Sequence, residues 1–243
     1  MGWCKLKQKN VLILGASSEI GNEVIKNYLR QNWIVYAHCN NNFKNINKDL
    51  LLKKKNLKII KSDFYNNKQF NKFSKYIKKI QIHSFVNLVG YIDNITFKNT
   101  SIKSLTKSVQ INAIAPLIIQ RDLLNKMAKN KFGRILNISS IGVKYGGGEF
   151  TFNYSYSKHA LEFLPQHLKK LASKNILSNI LRVGVVDTKL HKRIKSKNMS
   201  KRVQLIPIKR KATKKEISDT IYNLASEKNS YISGEIITIA GGE

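Results

Sequence analysis

Cysteine is scarce in this chain, and so is negative charge. The two cysteines, Cys4 and Cys39, are too few and too isolated for a disulfide framework or a zinc cluster, so both are expected to be free thiols. The histidines His38, His83, His159, His167 and His191 fall at no metal-ligand spacing, and no metal is expected. No run of about 18 or more uncharged apolar residues occurs, which argues against a membrane-spanning helix. The stretch MGWCKLKQKN ahead of VLILG lacks the apolar core of a secretory signal. Together these absences point to a cytoplasmic protein without membrane partners. Nothing resembling a linker divides the chain either. One domain over residues 1–243 is expected, and with 42% hydrophobic content it can bury a full core.

Only 14 acidic residues face 44 lysines and arginines, a formal net charge of +30. A charge of that size attracts nucleic acid, acidic membranes and anionic substrates. The excess is mostly lysine, however, and it travels with asparagine and isoleucine, as in NNNFKNINKDLLLKKKN and FYNNKQFNKF, the residues that A/T-rich codons encode. No uninterrupted basic tail, internal repeat or zinc-finger pattern accompanies it. A solvated lysine-rich surface is the plainer reading, and nucleic acid is not the expected partner.

What the chain does have is alternation. Short β-rich runs at 11–14, 34–37, 57–60, 84–89, 134–139, 176–183 and 235–240 are separated by amphipathic stretches at 19–31, 66–80, 101–128, 153–174 and 214–227. This pattern predicts βαβ units and a parallel sheet. Strands that are nearly all apolar are buried on both faces, so helices should cover the sheet on either side. The expected fold is α/β, a doubly wound parallel sheet of the NAD(P)-binding Rossmann type. Ligands of such sheets bind beyond the carboxyl ends of the strands, where the strand order reverses.

The first strand runs directly into GASSEIG, residues 15–21, and then into a helix. A glycine turn there aims backbone N–H groups and the positive end of the helix dipole at a pyrophosphate, although an ordinary strand-to-helix turn has the same outline. Gly15 makes the turn, Ser17 and Ser18 offer hydroxyls to phosphate or to capping, and Gly21 lets the helix pack closely on the sheet. The second strand ends in YAHCNNNFK, with no carboxylate to take a ribose 2′-hydroxyl. His38, Asn40, Asn41 and Lys44 offer donors to a 2′-phosphate instead. NADP(H) is therefore favoured, with NAD(H) as the alternative. After the third strand, Asp63 and Phe64 stand where an adenine could be held; a plain surface loop is the competing reading.

NYSYSKHA, residues 153–160, sets two tyrosines ahead of one lysine. A carbonyl reductase needs a proton donor beside the substrate oxygen, and a nearby ammonium is the natural way to make a phenol acidic enough. Residues four apart on a helix share a face, whereas residues two apart do not. Tyr154, rather than Tyr156, therefore pairs with Lys158. Ser140 ends the strand RILNIS at the same sheet edge, where its hydroxyl could bond a carbonyl oxygen, and Ser139 should point elsewhere by strand alternation.

With GASSEIG, NLVG (87–90), Asn112, NISS (137–140), YSYSK (154–158) and the run from IPIKRK to ITIAGG, the chain resembles the short-chain dehydrogenases/reductases of compact single-domain type. It is most similar there to 3-oxoacyl-carrier-protein reductases. The resemblance covers roughly residues 9–242. It implies Tyr154 as general acid in reduction and Lys158 as the group that lowers its pKa and bonds the nicotinamide ribose. Ser140 would orient the carbonyl, and Asn112 would hold a water connecting Lys158 to solvent. Gly15, Ser17, Ser18, Glu19, Ile20 and Gly21 would surround the pyrophosphate, and Asn87 and Gly90 would shape the adenosine and central-strand region. Thr188 would contact the carboxamide end of the cofactor, with Val185 beside it. A homo-tetramer or homo-dimer formed through the two long helices flanking the site is also implied.

The chain departs from the family pattern in four places. Glu19 replaces the middle glycine of the glycine motif, which brings a carboxylate near the pyrophosphate. Val183 replaces the proline usual before Gly184, and Ala240 replaces the aspartate usual before the terminal Gly-Gly. The interval from Ser140 to Tyr154, with GGGEFTFN inside it, is slightly long, so the substrate mouth should differ. The family pattern places residues 188–206 in a substrate lid, here carrying Lys189, Lys192, Arg193, Lys195, Lys197, Lys201 and Arg202 and no acid. Such a lid would gather an anionic substrate, such as an acyl-carrier thioester, a coenzyme A ester or a nucleotide-linked sugar, or it merely shares the lysine excess. The leading expectation is an NADP-dependent reductase of a ketone or 3-ketoacyl group. The alternatives are a sugar or nucleotide-sugar dehydrogenase/reductase of polysaccharide synthesis and a non-catalytic cofactor- or nucleic-acid-binding scaffold.

Overall fold

All seven strands enter one sheet, each parallel to its neighbours, in the order β3-β2-β1-β4-β5-β6-β7. The computed structural model describes residues 8–41, 43–52, 55–190, 194 and 198–243. The strands are β1 (Asn10–Leu14), β2 (Ile34–Cys39), β3 (Leu57–Lys61), β4 (Ser84–Asn87), β5 (Gly133–Ser140), β6 (Ile176–Val183) and β7 (Ile236–Ile239). The helices are α1 (Glu19–Arg30), α2 (Lys48–Leu51), α3 (Asn67–Ile77), α4 (Ile102–Val109), α5 (Ala115–Lys129), α6 (Phe152–Leu161), α7 (Gln166–Lys170), α8 (Met199–Gln204) and α9 (Lys214–Ala225). Among the described residues no helix is long and apolar enough to cross a membrane.

Strand alternation sorts the core into two layers. Val11 and Ile13 of β1 face Val24, Ile25 and Tyr28 of α1 and Ile217 and Ile221 of α9. Leu12 and Leu14 face the other way, toward Phe73 and Ile77 of α3 and Ile119, Leu123 and Met127 of α5. The central strands β1 and β4 are buried on both faces, whereas the edge strands β3 and β7 alternate with exposed positions. The order reverses between β1 and β4, where Leu14 lies opposite Asn87. Their carboxyl ends therefore diverge into a crevice.

Three expectations need correction. The apolar run 84–89 pairs only as far as Asn87, after which Leu88 and Val89 leave the sheet for the crevice. The stretch 101–128 is not one α-helix: a π-helical turn, Gln110–Ile114, separates α4 from α5. The stretch 153–174 is not one helix either. Pro165 has no N–H to donate and disfavours a helical Leu164, so α6 stops at Leu161 and a separate α7 starts after the proline. Phe163 is left 76% exposed in the gap. Cys39 is a buried free thiol; Cys4 and His191 lie outside the described residues.

Gly21 shows how tightly α1 seats on the sheet. A Cβ there would lie 2.4 Å from the Ala16 carbonyl oxygen, closer than any contact a side chain tolerates. Gly21→Ala should cost about 1–3 kcal/mol in urea unfolding and weaken dinucleotide binding by tilting the helix N-terminus.

Candidate active site

A cleft of about 1420 Å³ runs along the carboxyl ends of the strands, from the glycine loop to Arg202, Leu205 and Glu243. This exceeds what one drug-sized ligand fills and leaves room for a dinucleotide and a second molecule side by side. Gly15, Ser17, Ser18, Glu19, Ile20, His38, Asn40, Asp63, Phe64, Gly90, Ser140, Tyr154, Lys158, Val185 and Thr188 all border it. Gly21, Asn87 and Asn112 lie behind its wall, buried.

At the dinucleotide end, Gly15 has φ +69°, and a Cβ on it would stand 2.9 Å from the Leu88 carbonyl carbon. Only glycine fits both constraints. Ser18 caps α1 by accepting from the Gly21 N–H at 3.0 Å, and Glu19 and Ile20 of the first helical turn border the cleft beside it. The Glu19 carboxylate accepts from the Lys189 N–H at 2.6 Å and from the Lys214 ammonium at 3.3 Å. The Lys189 backbone N–H is the main reason its pKa is lowered, with Lys214 adding to it against partial burial. The charge that threatened the pyrophosphate is thus already shared between two donors.

His38 is not a phosphate donor. Its ring is buried, stacked on Phe64 at 4.1 Å, with Nε2 against the Ser62 carbonyl at 2.9 Å and Nδ1 accepting from the Gly15 N–H at 3.4 Å. Burial pulls its pKa down to about 4, the Ser62 hydrogen bond opposing only in part, so the ring is neutral and both nitrogens are occupied. It braces the glycine turn instead. Asn40 remains at that end of the cleft, joined by Asn45, which sequence reasoning missed. Asp63 accepts from the Tyr65 N–H at 2.9 Å, fixing the turn that carries Phe64.

At the other end, Tyr154 and Lys158 share a face of α6, with the ammonium 5.8 Å from the centre of the phenol ring. Tyr156 points away and is 50% exposed. Gly90 lies beside the Tyr154 ring, where a Cβ would stand 4.0 Å from the phenol oxygen. Burial pushes the phenol up to about 12, opposed by a hydrogen bond with the Ser140 side chain, so it keeps its proton across the neutral range. The Lys158 Nζ donates to the Val89 and Ile138 carbonyls at 2.8 and 2.5 Å. In this structure its charge is directed at two backbone oxygens rather than at the phenol. Burial brings Lys158 down to about 7, and the Glu162 carboxylate pulls the other way.

Glu162, one turn beyond Lys158, was not anticipated. It accepts from Ser139 Oγ at 2.7 Å and from Arg182 Nε and Nη2 at 2.9 and 2.5 Å. Ser139 thus points away from the cleft, as alternation requires, while Ser140 caps the turn that begins at Ile141. Asn112 is clasped from both sides: Oδ1 accepts from the Tyr91 N–H at 2.7 Å, and Nδ2 donates to the Tyr91 carbonyl at 2.9 Å and to Ser157 Oγ at 2.8 Å. Asn87 likewise accepts from the Val89 N–H at 3.1 Å and donates to Asn137 at 3.1 Å. Neither side chain borders the cleft; both position what does.

The long interval between Ser140 and Tyr154 does reach the mouth, through Tyr145 and Phe150. Of the basic residues expected in the lid, Lys192, Arg193, Lys195 and Lys197 lie outside the described residues, and Arg202 is paired with Glu243. Val183 borders the cleft at the loop where a proline was expected, and Ala240 packs where a Cβ on Gly184 would meet its Cα at 2.8 Å. Among the described residues no group of three or more His, Cys, Asp or Glu is placed to hold a metal.

Comparison with known proteins bears on this geometry. The family described as enoyl-(acyl carrier protein) reductase matches residues 15–243. The 3-oxoacyl-[acyl-carrier-protein] reductase FabG of Buchnera aphidicola subsp. Schizaphis graminum is 30% identical over 243 residues, covering 98% of each chain. A crystal structure of a 3-oxoacyl (acyl-carrier-protein) reductase from Agrobacterium tumefaciens C58 with NADP bound superposes with a TM-score of 0.85 at 19% identity, over 97% of this chain and 94% of that one. YwfH, an NADPH-dependent reductase involved in bacilysin biosynthesis, gives 0.82 at 23% identity, over 97% and 98%.

The buried lysine makes a prediction about pH. With a folded pKa near about 7 against an ordinary 10.5, the unfolded chain binds one more proton between those values. The burial cost is full below that window and fades as pH rises through it. The stability of wild type relative to Lys158→Met, measured by urea unfolding, should therefore improve from pH 7 to pH 10; a constant difference would contradict it.

Proposed function

Because the chain belongs to the short-chain dehydrogenase/reductase family and is of the NAD(P)-dependent oxidoreductase type, we propose that it reduces a ketone or 3-ketoacyl group to the alcohol, with NADP(H) preferred and Tyr154 as proton donor. The observation that carries the reading is the meeting of Ser140, Tyr154 and Lys158 on one cleft whose other end is a glycine turn at a helix N-terminus.

Gly15, Ser17, Ser18 and Ile20 would hold the dinucleotide by its pyrophosphate, Asp63 and Phe64 would meet its adenine, and Val185 and Thr188 its nicotinamide end. The nicotinamide, when bound, supplies the hydride. The chain's own residues manage the oxygen. Ser140 and Tyr154 donate to the substrate carbonyl oxygen, and Tyr154 gives up its proton as negative charge develops there. Lys158 lies one helical turn away, close enough for its ammonium to support the resulting phenolate. Asn112 acts through others: it fixes the backbone of Tyr91 and donates to Ser157 Oγ, which in turn donates to the Tyr154 carbonyl at 2.7 Å.

The cofactor preference rests on the end of β2. With His38 withdrawn, Asn40 and the exposed Lys44 remain to meet a 2′-phosphate, and no carboxylate stands there to hold a bare ribose. A 3-ketoacyl substrate is favoured by the likeness to the Buchnera reductase. Apolar side chains left exposed on and beside α5 and α6, among them Ile114, Leu117, Tyr156 and Phe163, support assembly as a homo-oligomer.

Tyr154→Phe should lower turnover of a ketoacyl thioester by about 10²–10⁴-fold while leaving NADPH binding nearly intact by fluorescence titration. Retained turnover would remove Tyr154 from the role. The same titration with NADPH and NADH should favour NADPH; tighter NADH binding would overturn the reading of β2.

A further inference from the structure

Asn22, one turn into α1, joins the two stretches of chain that the phosphates of a dinucleotide would meet. Its Nδ2 donates to the Ser18 carbonyl at 2.9 Å and to the Asn45 carbonyl at 3.0 Å, and its Oδ1 accepts from the Asn47 N–H at 2.7 Å. Ser18 caps α1 beside the glycine turn. Asn45 and Asn47 belong to the segment after β2, where the topology places a ribose and its 2′ substituent. One planar carboxamide therefore spans both stretches, with three of its four hydrogen-bonding positions used in doing so.

The segment after β2 needs such a hold. It consists of a 3₁₀ turn, Phe43–Asn45, and the four-residue α2, both too short to keep a conformation of their own. Its buried side chains, Ile46 and Leu50, pack in the same core layer as Val24 and Ile25 of α1. Apolar burial is non-directional, so these two plugs fix how close the segment lies to α1 and not which way its backbone faces. The bonds from Asn22 supply the direction: they turn the Asn45 carbonyl and the Asn47 N–H toward α1, while Asn45 borders the cleft and Lys44 is exposed next to it. We propose that Asn22 is a positioning residue for the NADP(H) preference, clamping this backbone so that Lys44 and Asn45 are held ready for a 2′-phosphate. Because the same carboxamide is tied to Ser18, the clamp also sets the distance between the 2′-phosphate donors and the pyrophosphate turn, a distance that the dinucleotide itself fixes.

Calorimetric titrations with NADPH and NADH test it on wild type, Asn22→Ala, Lys44→Ala/Asn45→Ala and the triple variant. Wild type should favour NADPH. Asn22→Ala should weaken NADPH about tenfold and move NADH by less than about twofold. Alanine is the better helix former, so α1 itself is not weakened. Lys44→Ala/Asn45→Ala should lose the NADPH advantage, and adding Asn22→Ala to it should lower the ratio no further. Equal weakening of both cofactors by Asn22→Ala would overturn the proposal, since it would show a residue that merely braces the glycine turn, which both cofactors use. An unchanged ratio in Asn22→Ala, or a further full loss in the triple variant, would overturn it as well. The inference rests on the reading of this cleft as an NADP(H) site, and the two fail separately. NADPH favoured by wild type with the ratio unchanged in Asn22→Ala refutes the clamp alone, whereas a wild type that favours NADH, or binds neither, refutes the cofactor reading and the clamp with it.

Discussion

Residues 87–91, where the chain leaves β4, hold the site together. Asn87 fixes the Val89 N–H, the Val89 carbonyl receives the Lys158 ammonium, Gly90 leaves room for the Tyr154 ring, and Tyr91 is clasped through both backbone groups by Asn112. On the other side, Gly15 approaches the Leu88 carbonyl so closely that no side chain fits between them. One short irregular segment therefore fixes the glycine turn, the lysine, the tyrosine and the asparagine relative to one another. It can do so because β4 is buried on both faces and cannot shift in register without moving its whole hydrophobic set.

Behind that segment the electrostatics are arranged in depth. Lys158 is desolvated, which favours its neutral form, but two carbonyls and a carboxylate one helical turn away favour the charged one. The carboxylate, Glu162, is itself tempered by Arg182 and Ser139. Removing one partner of such a buried pair leaves an uncompensated charge in a low dielectric. The lysine is thus poised partly by Glu162 and Arg182, two charged groups that do not border the cleft.

The fold was legible because its signal is coarse. Seven apolar β-rich runs and the stretches between them are enough to specify a parallel sheet, and the C-terminal edge follows from topology. That Tyr154, and not Tyr156, shares a face with Lys158 was legible too, since it needed only helical spacing. What escaped depends on tertiary partners. His38 has the chemistry of a phosphate donor, and only its burial against Phe64 and Ser62 disqualifies it. Glu162 and Asn22 carry no local motif; the first acts through a strand some twenty residues on, the second through the segment after β2. The break at Pro165 was readable from the proline itself, but the amphipathic pattern on either side of it masked the interruption.

The π-helical turn at Gln110–Ile114 carries a different kind of consequence. A π turn is an α-helix with one residue too many, and each helical residue accounts for about 100° of rotation. The turn therefore lets α4 and α5 keep separate facing requirements, one toward α6 and the other toward the sheet, with Asn112 at the seam between them. Residue count brings that amide to the seam, and the bonds to Tyr91 and Ser157 then hold it there. In a lineage of such chains the seam would tolerate many changes of side chain flanking the asparagine, yet hardly any change of length.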